Sequence, residues 1–199
     1  MATTTNYGWT TPDDTSLVKD GASAIRSLGT AIDTSLNTAL GTKKAGLVLL
    51  NTTTLSAVSS SQINSLFSST YRNYLIVMSW TQTTGSTYLR LSASGTPTAT
   101  NYLRTGQYST TGGSTGTWYA SATGTELVIG DTAQMYMELN LFDPNIAGIT
   151  GMVGFQTRSD GQNTRLGAAQ NSSTQFDGIY LVTSAGTITG EVSIYGRNK

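Results

Sequence analysis

The chain of 199 residues contains no histidine and no cysteine. Without imidazole and thiol groups, Ser-His-Asp and Cys-His catalysis are excluded, and so are disulfide bonds and metal sites built from these ligands. Acid and base chemistry would have to come from carboxylates alone. We therefore expect no bound metal and no other cofactor.

Charge is also scarce, because Asp, Glu, Lys and Arg make up 11% of the chain where an average soluble protein has about 25%. Eleven basic and eleven acidic residues give a formal net charge of zero, and no run of like charge occurs. A nucleic-acid partner is therefore not expected. Thr, Ser, Asn, Gln and Gly supply the polar surface instead.

Long apolar runs are missing as well. The longest uninterrupted stretch, residues 74–78, is far too short to cross a bilayer, and the polar N-terminal residues 1–6 do not have the pattern of a signal peptide. The sequence thus predicts neither membrane insertion nor export by a signal peptide.

The acidic residues form no recognisable catalytic motif. Those that could pair as acid and base are Glu126, Asp131, Glu138, Asp143 and Glu191. Because they are scattered, we interpret them as turn, cap and surface residues, and we expect the chain not to be an enzyme. A small glycan hydrolase is the weaker alternative.

Two short segments resemble ligand loops only superficially. Residues 111–116 are rich in glycine but lack the Gly-Lys-Ser/Thr ending of a phosphate loop, and residues 160–163 lack the spaced acids of a calcium loop. We expect an inter-strand loop and a tight turn, respectively.

Residues 11–41 have the pattern of one helix. Thr11 is the expected N-cap, Pro12 suits the first turn, and Asp13 and Asp14 complement the helix dipole. Gly41 is a typical stop signal. The sequence therefore predicts a helix of about 45 Å, at about 1.5 Å per residue.

The helix carries an apolar stripe formed by Val18, Ile25, Leu28, Ile32 and Leu36. Three of these residues recur every seven positions, as in a short coiled coil. Because such a helix is barely stable alone, we predict that neighbouring copies associate through the stripe. The alternative is that the stripe packs on the same chain's β domain, and the residues alone leave the copy number open.

After residue 45 the hydrophobic period changes from helical to two, with short runs of Val, Ile, Tyr, Trp and Thr between Gly, Ser, Asn and Asp. This predicts two regions, residues 1–44 and 45–199, and a mainly β fold with an antiparallel, jelly-roll-like β-sandwich after the helix. The predicted strands are residues 46–50, 74–82, 88–94, 102–108, 127–129, 134–142, 152–157, 178–183 and 191–196.

Several aromatic residues lie in or beside strands whose other residues are Ser, Thr, Asn and Gln. Aromatic rings next to hydroxyls and amides suit neutral sugars, since a sugar stacks its C–H face on the ring. The alternative is that these aromatics are core or subunit-interface residues. The candidate glycan-binding residues are Trp80, Tyr102, Tyr108, Trp118 and Tyr119.

Short segments near both ends of the chain resemble a known group of proteins. Residues 6–14 (NYGWTTPDD), 17–22 (LVKDGA) and 24–29 resemble the N-terminal segment of many tailed-bacteriophage appendage and minor tail proteins. Residues 46–48, 67–74, 186–190 (GTITG) and 192–196 (VSIYG) resemble the C-terminal domain of the same group.

This resemblance implies a homotrimeric tail fibre or spike, placed on the outside of the virion and assembled in the host cytoplasm. Its N-terminal segment would dock on other phage proteins through Tyr7 and Trp9, and its β domain would project outward to contact the host surface. Together with the aromatic residues above, this predicts a host-surface glycan as the ligand. Tyr7 and Trp9 have an alternative role as a hydrophobic staple on the first helical turn. A capsid head fibre or decoration protein is the alternative function.

Overall fold

The computed structural model describes residues 2–12, 17–42 and 46–197. The chain divides into two compact units, Met1–Ala45 and Gly46–Lys199. We call them the N-terminal unit and the head. Their boundary lies one residue from the one expected from the change of hydrophobic period.

The N-terminal unit contains a small hairpin and one helix. Strand β1 (Ala2–Thr3) pairs antiparallel with β2 (Thr10–Thr11), and helix α1 spans Val18–Thr42. At the hairpin tip the amide of Gly8, at a φ of +65°, donates to the carbonyl of Thr4 at 2.9 Å. Glycine adopts this left-handed conformation without strain, so it suits the tight loop.

The predicted start of the helix is wrong. Thr11 does not cap α1, because it pairs with Ala2 in the hairpin and its hydroxyl donates to the Ala2 carbonyl. Pro12 likewise precedes the helix, which begins at Val18. The expected dipole partners Asp13 and Asp14 lie outside the described residues. At the other end, α1 ends one residue after the predicted stop at Gly41.

The head consists of β-strands joined by turns and longer loops, and all its described strand pairs are antiparallel. The strands are β3 (Leu47–Val58), β4 (Ser60–Ile63), β5 (Asn73–Gln82), β6 (Thr87–Ala93), β7 (Thr96–Pro97), β8 (Tyr102–Ser109), β9 (Thr115–Gly124), β10 (Leu127–Gly130), β11 (Gln134–Phe142), β12 (Thr150–Arg158), β13 (Asn163–Gln170), β14 (Gly178–Thr183) and β15 (Ile188–Arg197).

These strands form two sheets. The larger has eight strands in the order β3-β15-β5-β11-β12-β13-β8-β9. The smaller has the order β10-β6-β14-β4, with β7 added beside β6. Buried side chains of both sheets, such as Met78 and Leu139 in the larger and Leu89 and Leu181 in the smaller, belong to one hydrophobic core. The predicted antiparallel β-sandwich is therefore confirmed.

Strand β11 has the burial expected from its sequence. Met135, Met137, Leu139 and Leu141 point into the core, whereas the residues between them point outward. A two-residue period puts alternate side chains on opposite faces of a strand, so one face of β11 faces solvent.

All nine predicted strands are present, several with longer bounds. Four of the strands that the structure describes in the head were not predicted, namely β4, β7, β9 and β13, and neither were β1 and β2 of the N-terminal hairpin. Strand β13 contains the small residues Gly167, Ala168 and Ala169, which have low intrinsic strand preference. Its pairing with β12 and β8 overrides that preference. The predicted tight turn at residues 160–163 joins β12 to β13, with Gly161 at a φ of +86°.

Tyr102 makes the head sensitive to alkaline pH. Its side chain is fully buried, and burial raises the pKa of Tyr102 to about 12 from its ordinary value near 10. The folded state therefore favours the protonated phenol. This contribution to stability, about 3 kcal/mol, is complete below pH 10 and is lost as the pH rises from 10 to 12.

We predict that Tyr102→Phe flattens this loss. The phenylalanine variant should be less stable at neutral pH, because the Leu91 amide loses its 2.7 Å hydrogen bond to the hydroxyl. Between pH 10 and 12 its free energy of unfolding should fall less steeply than that of the wild type. Denaturant unfolding at both pH values measures this difference, and equal slopes for the two proteins would contradict it.

Candidate functional site

The outer face of the eight-stranded sheet, meaning the side that points away from the core, carries aligned rows of side chains. One row runs through Glu138, Phe155, Arg165, Gln107 and Thr117, which are successive partners across β11, β12, β13, β8 and β9. All five side chains are exposed. The strand pairing therefore builds a surface from residues that lie far apart in the sequence, with one register shift between β8 and β9 beside Gln107.

The neighbouring row runs through Tyr136, Thr157, Asn163, Ser109 and Thr115 on the same five strands. Between the two rows, over β12, β13, β8 and β9, lies a cleft of about 690 Å³, which we call the trough. Binding pockets for small molecules commonly have volumes of about 300 to 1,000 Å³. The trough is thus large enough for one or two sugar rings.

Phe155 is the exposed aromatic ring of the trough. It is 59% exposed, and the guanidinium carbon of Arg165 lies 5.6 Å from its ring centroid. At this distance the cation is attracted to the ring face. A second depression of about 320 Å³ lies beside the trough and also includes Phe155, together with Tyr136 and Glu138. Phe155 therefore stands between two adjoining concave surfaces.

The remaining lining of the trough is polar and almost uncharged. Hydroxyl groups come from Ser109, Thr115, Thr117 and Thr157, and Gln107 supplies an amide. Thr157 donates a 2.8 Å hydrogen bond to the side chain of Asn163, its partner on the neighbouring strand in the second row. Such a lining can exchange hydrogen bonds with a ligand rich in hydroxyl groups without needing a ligand charge.

Two of the predicted glycan-binding residues are wrong for that role. Trp80 is 1% exposed and its indole nitrogen donates to the Thr87 hydroxyl at 3.2 Å. Tyr102 is fully buried, and its hydroxyl accepts from the Leu91 amide. A ligand in solvent cannot stack on either ring, so the alternative role as core residues is confirmed for these two.

The other three predicted residues lie at the trough end of the sheet. Tyr108 is half-buried and lies among the trough residues. Its ring covers the backbone of Gly116, where an added Cβ would come within 2.8 Å of the hydroxyl oxygen. Trp118 and Tyr119 belong to β9, but their side chains lie outside the described part of the structure.

Sequence reasoning missed Phe155. The segment was correctly predicted as a strand, but Met152, Val153 and Phe155 are all apolar, so the pattern did not indicate which of them faces the core. In the structure Met152 is 1% exposed, whereas Val153 and Phe155 point outward. The signal that could have identified Phe155 is the two-residue alternation of β12. Gly154 and Gln156 share the inward face with Met152, so Phe155 lies on the outward face.

Most of the candidate catalytic carboxylates form ion pairs. Glu126 lies 2.5 Å from Arg90, Asp131 lies 2.6 Å from Arg158, and Asp143 lies 2.5 Å from Arg72. Glu138 and Glu191 are exposed on the outer face of the large sheet. Within the described residues no group of three or more His, Cys, Asp or Glu could hold a metal ion.

The predicted oligomerisation residues form a stripe along α1 in which three of the five side chains are exposed. Val18 is 97% exposed, Ile25 65% and Leu36 51%. Leu28 and Ile32 are half-buried. No helix in the described residues has both the length and the hydropathy needed to span a bilayer.

Tyr7 and Trp9 stack on each other in the hairpin. Their ring centroids are 5.0 Å apart with an angle of 14° between the planes. The indole nitrogen of Trp9 donates to the Ser35 hydroxyl at 2.9 Å, so Trp9 contacts the second half of α1. The staple on the first helical turn is therefore wrong. Tyr7 remains 71% exposed.

Comparisons with known proteins give no family. No protein-family model matches the chain, and no curated protein matches it. Among solved structures, galectin LEC-6 of Caenorhabditis elegans is 8% identical, with 74% of this chain and 96% of that chain covered and a TM-score of 0.34. A structure of the infectious bursal disease virus Gt strain is 11% identical, with 74% and 42% covered and a TM-score of 0.13. At these TM-scores neither likeness supports an argument.

We predict that Phe155 contributes little to folding. Phe155→Ala should change the free energy of unfolding by less than about 1 kcal/mol, because the ring is mostly solvated. The control is Leu139→Ala. Leu139 lies on the neighbouring strand β11 and points into the core, so this substitution should lower the free energy of unfolding by about 2 to 5 kcal/mol. Denaturant unfolding measures both, and a large loss in Phe155→Ala would identify the ring as a packing residue.

Proposed function

We propose that this chain is a structural and adhesive component of a bacteriophage virion, a short trimeric tail fibre or spike. In this proposal the N-terminal unit docks on the particle and joins the copies, and the head binds a host-surface glycan without cleaving it. The phage assignment rests on the resemblance of residues 6–29 and of the C-terminal segments to phage appendage proteins. The adhesive role rests on the trough.

The observation that carries the adhesive role is the exposed ring of Phe155 in a polar, nearly uncharged cleft. A pyranose ring would stack its C–H face on Phe155, while Gln107 and the surrounding hydroxyls would bond its hydroxyl groups. Arg165 and Glu138 lie on either side of Phe155 in the same row, so their charges offset each other. This balance favours a neutral sugar.

Binding without cleavage is consistent with the ion pairs of the head. Glu126, one candidate acid, accepts hydrogen bonds from both Nε and Nη2 of Arg90 and is held on the smaller sheet's side of the head. Glu126 is also not among the residues that line the trough. A trimer of weak sites would still attach firmly, because each further head binds at a high effective concentration.

The finer features of the fold also belong to this proposal. The two antiparallel sheets suit a jelly-roll-like head. The stripe of Val18, Ile25 and Leu36 would form the seam of a short coiled coil, with Leu28 and Ile32 completing it. Trp9 fixes the hairpin on the helix, so the exposed Tyr7 would meet the virion from a well-defined position.

We predict that Ile25→Asp together with Ile32→Asp dissociates the assembly. Two charges in the seam would lose their hydration in each copy, so the protein should become monomeric at micromolar concentration while the head stays folded. Light scattering coupled to size exclusion measures the mass, and circular dichroism reports the β fold.

The matched control places the same charges at the same spacing on the opposite face of α1. Ser27→Asp with Thr34→Asp should keep the wild-type mass, since both residues are exposed and lie outside the stripe. If the double variant Ile25→Asp, Ile32→Asp kept the wild-type mass, the coiled-coil stalk would be excluded from the proposal.

We further predict that Phe155→Ala weakens glycan binding. On an array of bacterial surface polysaccharides the wild type should bind at least one glycan, and the variant should bind it roughly 5- to 150-fold more weakly. This range corresponds to a stacking contribution of about 1 to 3 kcal/mol, the magnitude found for a nucleic-acid base on an aromatic ring. Calorimetry with the best binder measures the affinity.

Tyr180→Ala serves as the control, because Tyr180 is a half-buried aromatic on the outer side of the smaller sheet. It should leave the affinity unchanged. Equal affinities of wild type and Phe155→Ala would exclude the trough as the site, and the absence of binding to every glycan would count against an adhesive role. Release of sugar by the wild type would instead indicate a hydrolase.

A further inference from the structure

The exposed apolar side chains of the head are concentrated on one side. Large hydrophobic residues that are at least about a third exposed occur on outer-face positions of β3, β8, β11 and β12 and in the loop between β11 and β12. Among the described residues the outer side of the smaller sheet has none of them. They are Leu47, Leu49, Leu103, Tyr136, Phe142, Ile146, Ile149, Val153 and Phe155.

Six of these residues form what we call the apolar patch, at the end of the outer face where β3 begins. Leu47 and Phe142 belong to one row, because Leu47 pairs with Arg197, Arg197 with Asn73, and Asn73 with Phe142. Leu49 and Val153 belong to the next row, through Tyr195, Leu75 and Asn140. The loop from β11 to β12 begins directly after Phe142, and we count its exposed residues Ile146 and Ile149 as the last two members.

The chemistry of the apolar patch differs from that of the trough. Five of its six side chains are aliphatic, with Ile149 60%, Leu49 55% and Val153 52% exposed. Arg197 is the single formal charge among the described outer-face residues of these two rows. Leucine, isoleucine and valine offer no hydrogen bonds to a sugar, so this end of the face suits another protein surface.

The size of the apolar patch also suits a protein interface. Its six side chains expose on the order of 500 Å² of apolar surface, at the upper end of what soluble monomers leave uncovered. A standard interface buries about 800 Å² per partner, and about two thirds of that area is apolar in homodimers. The patch would therefore supply the apolar core of one such interface.

We propose that the apolar patch of each head packs against a second copy of this chain. The connector makes this partner the favoured one, because only four residues separate the helical Thr42 from Leu47 at the edge of the patch. Five Cα steps span at most about 18 Å. Helices associated through the stripe would thus hold the β3 starts of neighbouring copies close together, at a high effective concentration.

The proposal uses the helix association of the proposed function only for this local concentration. Packing at the apolar patch leaves the trough open, because the trough lies in the rows beyond Val153, toward Thr157 and Asn163. One outer face would then serve two purposes, with an apolar end for self-association and a polar remainder for the ligand.

The first test measures how concentration controls the mass of the full chain. Leu49→Glu with Val153→Glu should raise the concentration of half-dissociation at least about tenfold, because it puts charge into the contact. The control Thr52→Glu with Thr81→Glu adds the same charge to exposed outer-face positions outside the patch and should stay within about twofold of the wild type. Equal dissociation of the two pairs would overturn the proposal.

The second test uses the absence of native cysteine, since a single introduced cysteine then reports only its own position. A short bismaleimide should cross-link the Leu49→Cys protein to dimers but not the Ser60→Cys protein, whose exposed site is on β4 of the smaller sheet. Equal cross-linking at both sites would overturn the proposal. A monomeric wild type at all concentrations would also overturn it, and would assign the patch to the chain's own helix or to a different protein.

The outcomes separate this proposal from the coiled-coil stalk. If Ile25→Asp with Ile32→Asp dissociates the assembly but Leu49→Glu with Val153→Glu has no effect, the proposal for the apolar patch is overturned and the coiled-coil stalk remains. The reverse pattern overturns the stalk and supports the patch. A change in glycan affinity is not needed for either conclusion.

Discussion

The continuous antiparallel register of β11, β12, β13 and β8 is the constraint on which the rest of the head depends. Every residue on these strands has a fixed partner, with no shift between β11 and β12 or between β12 and β13. A slip of one residue would turn Met152 and Gln156 outward and Phe155 into the core. The burial of Met135, Met137, Leu139 and Leu141 on β11 opposes such a slip.

The same register decides what the sequence could predict. The alternation in β11 identified both the strand and its inward face, because apolar and polar residues alternate strictly there. In β12 the two faces are both partly apolar, so the strand was predicted but its outer face, with Phe155, was not. Strand β13 was missed because it has small residues, and its pairing with two neighbours compensates for their low strand preference.

Long-range contacts explain the other failures. Trp80 and Tyr102 each follow a polar residue in the sequence, yet each ring enters the core. Each also has a hydrogen-bond partner on β6, Thr87 for Trp80 and the Leu91 amide for Tyr102. Thr11 has every local property of an N-cap, but its pairing with Ala2 forms a hairpin that precedes the helix. Local patterns carry no information about such partners, and they did not indicate where Trp9 would contact α1.

A head with almost no net charge and one apolar and aromatic face suits permanent assembly and recognition of neutral ligands. Charged residues are few, and several are neutralised in pairs such as Arg90 with Glu126. The outer side of the smaller sheet, with half-buried Tyr88 and Tyr180, has no comparable apolar exposure in the described residues. Contacts with partners and ligands are thus expected on a single side of the head.

Hydroxyl-radical footprinting of the full chain, at low and high concentration and with a bound glycan, tests this expectation most directly. The account predicts that labelling of Leu49, Phe142 and Val153 falls as the concentration rises, and that labelling of Phe155 falls when the glycan is added. Tyr88 and Tyr180 should keep their labelling under all conditions. Protection of Tyr88 and Tyr180 with no change on the outer face of the eight-stranded sheet would contradict it.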